Sequence, residues 1–392
     1  MGLSLYTGER EFIDLTESFA RKAVLPIFGG DTPDGDLGKV PELLDKAFEI
    51  GLAASPDKRM PGYEYGIWGA SVRESDMQLS VNMLSIIASV CGGIAMNLHS
   101  QGLSSLVVSL SGRELTDPPK IAALALQEGY GPPGHGTLFD PCADAPARIM
   151  TRACPTGQGF TISGEKSFVY AMKGVESFIV ACRVEDEKDR GWGLFLVPAA
   201  SGGVRIRSVS GRTGLRACDV LHIDFENVEV INSARLDEGN AAALVKQALC
   251  INWLGIAAVA AGIARGAVRA ARAYASTRYQ GGAMIESHPA IQKLIALSEA
   301  RAEAAHAHLN QVSSLGLESR GLLKQCAVAK LMVTDLCFQA VTDSLQVFGG
   351  YGYMEDYGME KRLRDAAVLK SAGCSPNSLE LFIFEAGKEV TA

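Results

Sequence analysis

Gln346-Val-Phe-Gly-Gly-Tyr-Gly-Tyr-Met-Glu-Asp-Tyr357, followed by Glu360-Lys-Arg-Leu-Arg-Asp-Ala366, is the stretch that decides the fold of this chain. Glycines at 349, 350 and 352 interrupt otherwise helical sequence. They permit either a tight turn or the close approach of backbone to a bound group. Upstream, Ala258, Gly262, Gly266 and Ala270 recur every four residues. Such a ridge of small side chains lets another helix pack closely, and a four-helix bundle is the simplest home for helices of this length and composition.

Further outward the character changes. Between about residues 121 and 235, short β-branched and aromatic runs alternate with Gly, Pro and Asp: Gly159-Phe-Thr-Ile, Ser177-Phe-Ile-Val, Gly193-Leu-Phe-Leu, Gly203-Val-Arg-Ile and Val220-Leu-His-Ile. This spacing predicts an antiparallel sheet or small barrel. Before it, Glu11 to Ala23 and Val40 to Ile50 are amphipathic, and Ser71 to Gly112 is a long apolar tract ended by Pro118-Pro119. The expected fold class is therefore α+β in three domains: helical 1–120, antiparallel β-barrel or sandwich 121–236, and a four-helix bundle 237–392.

The bulk numbers narrow the function. A net charge of −7 and a pI near 5.5 argue against a nucleic-acid or anionic-membrane binder, which needs clustered Lys and Arg. Nine scattered cysteines without a CxxC pair fit reduced thiols, not a disulfide framework or a zinc site. His306 and His308, two apart on a helix, face different directions and offer no metal site. The N-terminus is charged and amphipathic without a signal core, and Leu249 to Ala264 is short for a membrane span. The expectation is a cytoplasmic protein with no membrane partner.

Four motifs in order carry a family resemblance: Gly164-Glu-Lys-Ser-Phe-Val-Tyr-Ala, Gly211-Arg-Thr-Gly-Leu-Arg-Ala-Cys-Asp with Asp224-Phe-Glu-Asn-Val-Glu-Val, Ala273-Tyr-Ala-Ser-Thr-Arg-Tyr-Gln-Gly-Gly, and the opening stretch. Over roughly residues 8 to 385 the chain resembles the acyl-CoA dehydrogenase family. The resemblance implies FAD between the middle and C-terminal domains, usually in a homotetramer, and an acyl-CoA or acyl-carrier-protein thioester as substrate. FAD takes hydride from the β-carbon while a carboxylate takes the α-proton, and electrons pass to an electron-transfer flavoprotein or to oxygen.

By the same resemblance Arg278 matches the arginine that holds the FAD pyrophosphate. Gln346, Gly349 and Gly350 match the residues at the adenine end. Phe168 and Tyr170 occupy the positions beside the isoalloxazine ring. Arg278 and Asn252 are 26 residues apart on one expected helix, roughly 39 Å at about 1.5 Å per residue. They are too far apart to serve one flavin from one subunit, so a dimer or homotetramer is expected. The chain also departs from the family: the flavin loop has become Gln127-Glu-Gly-Tyr-Gly-Pro-Pro-Gly-His-Gly, and Gly281 and Pro289 stand where an aromatic and a glutamine are usual.

The catalytic glutamate is missing from both places where such proteins keep it. Those positions are Gly373 and Asn252, and no acid lies between Ala366 and Leu379 or between Leu249 and Arg278. Three explanations compete. His99 is a candidate relocated base, with Glu128 a weaker one. The chain could run monooxygenase or oxidase chemistry on the same fold. Or it could be a non-catalytic partner in a heteromeric assembly. Cys374, beside the vacated position, reads as an inert buried thiol, and Lys361-Arg362 as a solvated face.

Overall fold

The computed structural model describes residues 7–29, 34–60, 66–69, 77–128, 149–185, 191–237 and 239–388. Helices α1 (Thr7–Phe19), α2 (Val40–Glu49), α3 (Gln78–Ala88) and α4 (Gly92–Leu110) come first. The apolar tract read as one unit is thus two helices broken at 89–91. From Gly92 to Val108 every residue of α4 is buried, polar ones included. Its serines are satisfied locally: Ser104 and Ser105 donate to the carbonyls of Ser100 and Gln101 at 2.9 and 3.1 Å. Gln101 ties this layer to the sheet, donating to the Ala54 and Lys120 carbonyls and accepting from the Ala122 N–H.

The middle of the chain is a seven-stranded sheet: β1 (Ala122–Ala125), β2 (Arg152–Pro155), β3 (Gly159–Ala171), β4 (Ser177–Val184), β5 (Trp192–Pro198), β6 (Val204–Ser208) and β7 (Asp219–Ile231). The order is β1-β4-β2-β3-β7-β6, with β5 on the side of β4. The expected antiparallel pairing holds for β2–β3, β3–β7, β4–β5 and β6–β7. It fails for β4 against β1 and β2, which run parallel, because the β2–β3 hairpin is placed beyond β4. Apolar side chains such as Phe178, Val180, Phe195 and Val197 fill the sheet's own core.

Helices α5 (Ala241–Thr277), α6 (Pro289–Ser313), α7 (Leu322–Val347), α8 (Met359–Leu369) and α9 (Pro376–Lys388) complete the chain. Helix α5 is longer than its apolar run suggested. By length and composition it could cross a membrane, but 94% of its most apolar window is buried inside the protein, so its apolar surface is spent on the core. The small-residue ridge meets α3 as close packing requires. A Cβ on Gly262 or Gly266 would sit 2.3 Å from the Ser85 carbonyl or 2.2 Å from that of Ser89.

Two of the four motifs are bolted together. Asp365 accepts the Leu215 N–H at 2.6 Å, and Arg364 donates to the Thr213 carbonyl at 2.7 Å. Lys361 is no part of a solvated face: it is buried and paired with Asp365 at 2.5 Å. Burial alone would lower its pKa, but the Asp365 carboxylate outweighs this and holds the ammonium above its ordinary range.

Candidate active site

Helix α4, helix α5, strand β3 and the turn after α8 converge on one cavity. Its lining includes His99, Phe168, Tyr170, Asn252 and Gly373, with Met96, Leu103 and Ile256 as apolar walls. Both vacated base positions and the candidate histidine therefore meet in a single place. A Cβ on Gly373 would lie 2.9 Å from Asn252 Nδ2 and 2.5 Å from Ile256 Cδ1.

His99 is held at both nitrogens. Trp68 Nε1 donates to His99 Nδ1 at 2.9 Å, and His99 Nε2 lies 3.1 Å from Asn252 Oδ1. An indole N–H can only donate, so Nδ1 is an acceptor and the ring proton sits on Nε2, donated to Asn252. Burial pushes the imidazolium down, to about 4, with the Asn252 bond acting in the opposite direction. The ring is neutral near pH 7, and neither nitrogen has a lone pair facing the cavity. To act as the base, His99 would first have to give up one of these two bonds.

Trp68 was not among the sequence candidates. It is fully buried, at a φ of 76°. A buried indole N–H needs a partner, which was the signal available in Gly66-Ile-Trp-Gly69. Two glycines make room for the pair. A Cβ on Gly255 would fall 2.1 Å from His99 Cε1, and one on Gly102 would fall 2.2 Å from the Ile67 carbonyl.

Glu128 is committed elsewhere. Its carboxylate accepts from the fully buried Lys166 at 2.8 Å and from the Met150 and Thr151 N–H groups at 2.7 and 2.9 Å. Burial would raise its pKa, but Lys166 and these donors outweigh it and keep it below the usual carboxylate range. It is not among the residues that line the cavity. Residues 129–136 of the altered flavin loop, His135 among them, lie outside the described residues.

Phe168 sits where β3 shifts register against β7, between Lys166 and Val169. The bulge puts it at a φ of 53° and leaves the ring 36% exposed, edge-on to His222 at 5.1 Å. A bulky residue at positive φ marks strain that the surroundings maintain, a common feature of ligand sites. Tyr170 stays on the cavity wall, and burial pushes its phenol well above the usual range, so it is a neutral donor.

At the far end of α5, the Arg278 guanidinium stacks over Tyr351 at 5.0 Å. Its Nε is buried and has no hydrogen-bond partner. Gly349 adopts a φ of 57°, and a Cβ added at Gly349 or Gly350 would meet nothing within 4 Å; Gln346 is exposed nearby. A cation with an unmet N–H beside bare, open backbone suits the phosphate end of a dinucleotide. The unbroken helix to residue 277 keeps Arg278 far from the cavity. Among the described residues no cluster of three His, Cys, Asp or Glu could hold a metal.

The comparisons agree with this architecture. The acyl-CoA dehydrogenase middle-domain model matches residues 142–228 and the C-terminal-domain model residues 242–380. Cyclohexane-1-carbonyl-CoA dehydrogenase of Syntrophus aciditrophicus is 31% identical over 91% of this chain and 90% of its own. The 3-(aryl)acrylate reductase of Clostridium sporogenes is 28% identical over 93% and 94%. The solved butyryl-CoA dehydrogenase of Megasphaera elsdenii superposes with a TM-score of 0.82 at 21% identity, over 98% of this chain and 99% of that one. The chain belongs to the acyl-CoA dehydrogenase family, whose members of this type are flavin oxidoreductases.

Proposed function

We propose that this protein is an FAD-dependent oxidoreductase of the α,β carbon–carbon bond of an acyl thioester, working in the direction that needs no resident base: reduction of the unsaturated thioester. One observation carries this. Gly373, Asn252 and His99 line the same cavity, and none presents a lone pair fit to remove an α-proton. Dehydrogenation must break a weakly acidic C–H bond and depends on a base. Reduction ends with protonation at the same carbon, which a neutral donor or water can supply. Tyr170, a neutral phenol, lines the same cavity. The relative from Clostridium sporogenes is named a reductase, in keeping with this direction.

Arg278, Gln346, Gly349 and Gly350 would hold the phosphate and adenine end of FAD, and Phe168 and Tyr170 would flank the ring; bound there, FAD supplies hydride transfer at the β-carbon. The length of α5 supports assigning these two ends to different flavins in a homo-oligomer, each copy contributing its Arg278 to a neighbour. An electron-transfer flavoprotein is the proposed electron partner.

The test is anaerobic absorbance at 450 nm. Photoreduced protein mixed with crotonyl-CoA should recover its oxidised flavin band, whereas oxidised protein with butyryl-CoA should bleach far more slowly. Rapid bleaching by butyryl-CoA with crotonyl-CoA inert would sink the reductive reading.

A further inference from the structure

We infer that Asn252 grips a carbonyl-type oxygen of the acyl group, and that Trp68 and His99 are positioning residues that fix which end of its amide faces the substrate. The inference rests on the cavity receiving the acyl end of a thioester.

The chain of polarity starts at Trp68. Its N–H can only donate, so His99 Nδ1 must accept. The single ring proton is then on Nε2, and the group it meets must be an acceptor, which is Asn252 Oδ1 at 3.1 Å. The amide is thereby locked with its NH₂ turned away from His99. Asn252 Nδ2 makes no hydrogen bond within the described residues, and it lies 2.9 Å from the place a side chain at Gly373 would occupy. Gly373 has no such side chain, so nothing there covers the amide.

An amide N–H open to the cavity can only donate, so the partner it would take there is an oxygen acceptor. Ser100 donates its hydroxyl to the Asn97 carbonyl at 3.1 Å, and Tyr170 is a neutral phenol. Among the described residues that line the cavity there is no carboxylate. Where a proton-abstracting group would offer lone pairs, this protein offers two N–H bonds. Such a site polarises a carbonyl conjugated to the reacting double bond and favours negative charge on that oxygen as hydride arrives. The oxygen can be the thioester carbonyl itself or one borne further along the acyl chain. Both have the same acceptor chemistry.

Calorimetric titration of the flavin-loaded protein, oxidised and anaerobic, separates these sources with three probes: butyryl-CoA, S-butyl-CoA (no carbonyl) and 3-oxobutyryl-CoA (a second oxygen). Wild type should bind butyryl-CoA about ten-fold more tightly than S-butyl-CoA, the worth of one hydrogen bond. Asn252→Ala should shrink that ratio to about two-fold or less. Trp68→Phe, which keeps the packing but frees the ring tautomer and hence the amide, should do the same with flavin content unchanged. If only the 3-oxobutyryl preference collapses, the gripped oxygen is the one on the chain. Infrared difference spectra of ¹³C-labelled thioester should show a lowered carbonyl stretch that disappears in both variants.

Equal affinity of wild type for butyryl-CoA and S-butyl-CoA, with no preference for 3-oxobutyryl-CoA, overturns the Asn252 assignment and leaves the thioester reading intact. An unchanged preference in Asn252→Ala does the same. Failure to bind any of the three overturns both.

Discussion

His99 Nε2 and Asn252 Oδ1 lie 3.1 Å apart in the cavity that Gly373 also lines. The bond joins α4 to α5 and makes the histidine a donor to protein instead of an acceptor from substrate. Its first consequence is for stability. The native ring resists protonation down to about pH 4, while an unfolded histidine titrates near 6.5. As pH falls through that window, the unfolded chain takes up a proton that the native chain refuses. Stability should therefore be complete above 6.5 and fall by up to about 3 kcal/mol on approach to 4. Urea midpoints measured across the window should show this slope in wild type and a shallower one in His99→Gln. Parallel slopes would mean the ring is not locked as described.

The buried pair Lys361–Asp365 makes a second expectation. Asp365 also holds the Leu215 N–H, so it anchors the β6–β7 connection to α8. Lys361→Met leaves that carboxylate buried without its cation and should cost about 3–5 kcal/mol. Denaturant unfolding followed by circular dichroism would report it; a change below about 1 kcal/mol would contradict the burial of the pair.

Gly373 is expected to be intolerant for two separable reasons. Its φ of 70° disfavours any side chain, and a Cβ would sit 2.5 Å from Ile256 Cδ1 and 2.9 Å from Asn252 Nδ2. Gly321 shares the left-handed backbone, with a φ of 75°, but has open space around it. Both alanine variants should lose about 1 kcal/mol of stability to backbone strain. Only Gly373→Ala should also weaken butyryl-CoA binding, by about ten-fold, because it alone covers the amide. Equal binding by the two variants would place the acyl group elsewhere.

Arg278→Lys tests the other end of α5. An ammonium cannot reproduce the planar fork or the stacking over Tyr351. Purified variant should show a markedly lower ratio of 450 nm to 280 nm absorbance at unchanged thermal stability of the apo-protein. Full flavin occupancy would move the pyrophosphate away from this residue.

What could be read without coordinates follows from how local each signal is. The ridge through Gly262 and Gly266 and the strand-forming runs act over a few residues, so the order of helix, sheet and helix was visible in the chain. The parallel placement of β4 depends on a crossover that no local pattern encodes. The emptied positions at Asn252 and Gly373 were legible as absences, but their meeting in one cavity was not. His99 looked like a base because a histidine's residue type does not reveal its tautomer. That is set by Trp68, 31 positions away. Lys361 looked solvated although its partner Asp365 stands at the helical i,i+4 spacing; its burial comes from packing that brings it to Cys91, 270 positions away.

If Asn252 stands where a base would act, a carboxylate placed there should restore the missing chemistry. Asn252→Asp keeps the size of the side chain. It can accept the His99 Nε2 proton with one oxygen, as Asn252 does at 3.1 Å, and it turns the other oxygen to the cavity in place of the N–H groups. Gly373→Glu is the poorer choice, since the backbone there is left-handed and crowded by Ile256. The aspartate should therefore bleach oxidised flavin with butyryl-CoA at least about 100-fold faster than wild type, the usual worth of a positioned base. Its reduction of crotonyl-CoA should slow, because the donor that polarised the carbonyl is gone. Asn252→Leu, with neither donor nor base, should lose both activities. An aspartate variant that bleaches no faster than the leucine one would show that the reacting carbons lie out of reach of residue 252, and the cavity would need another occupant.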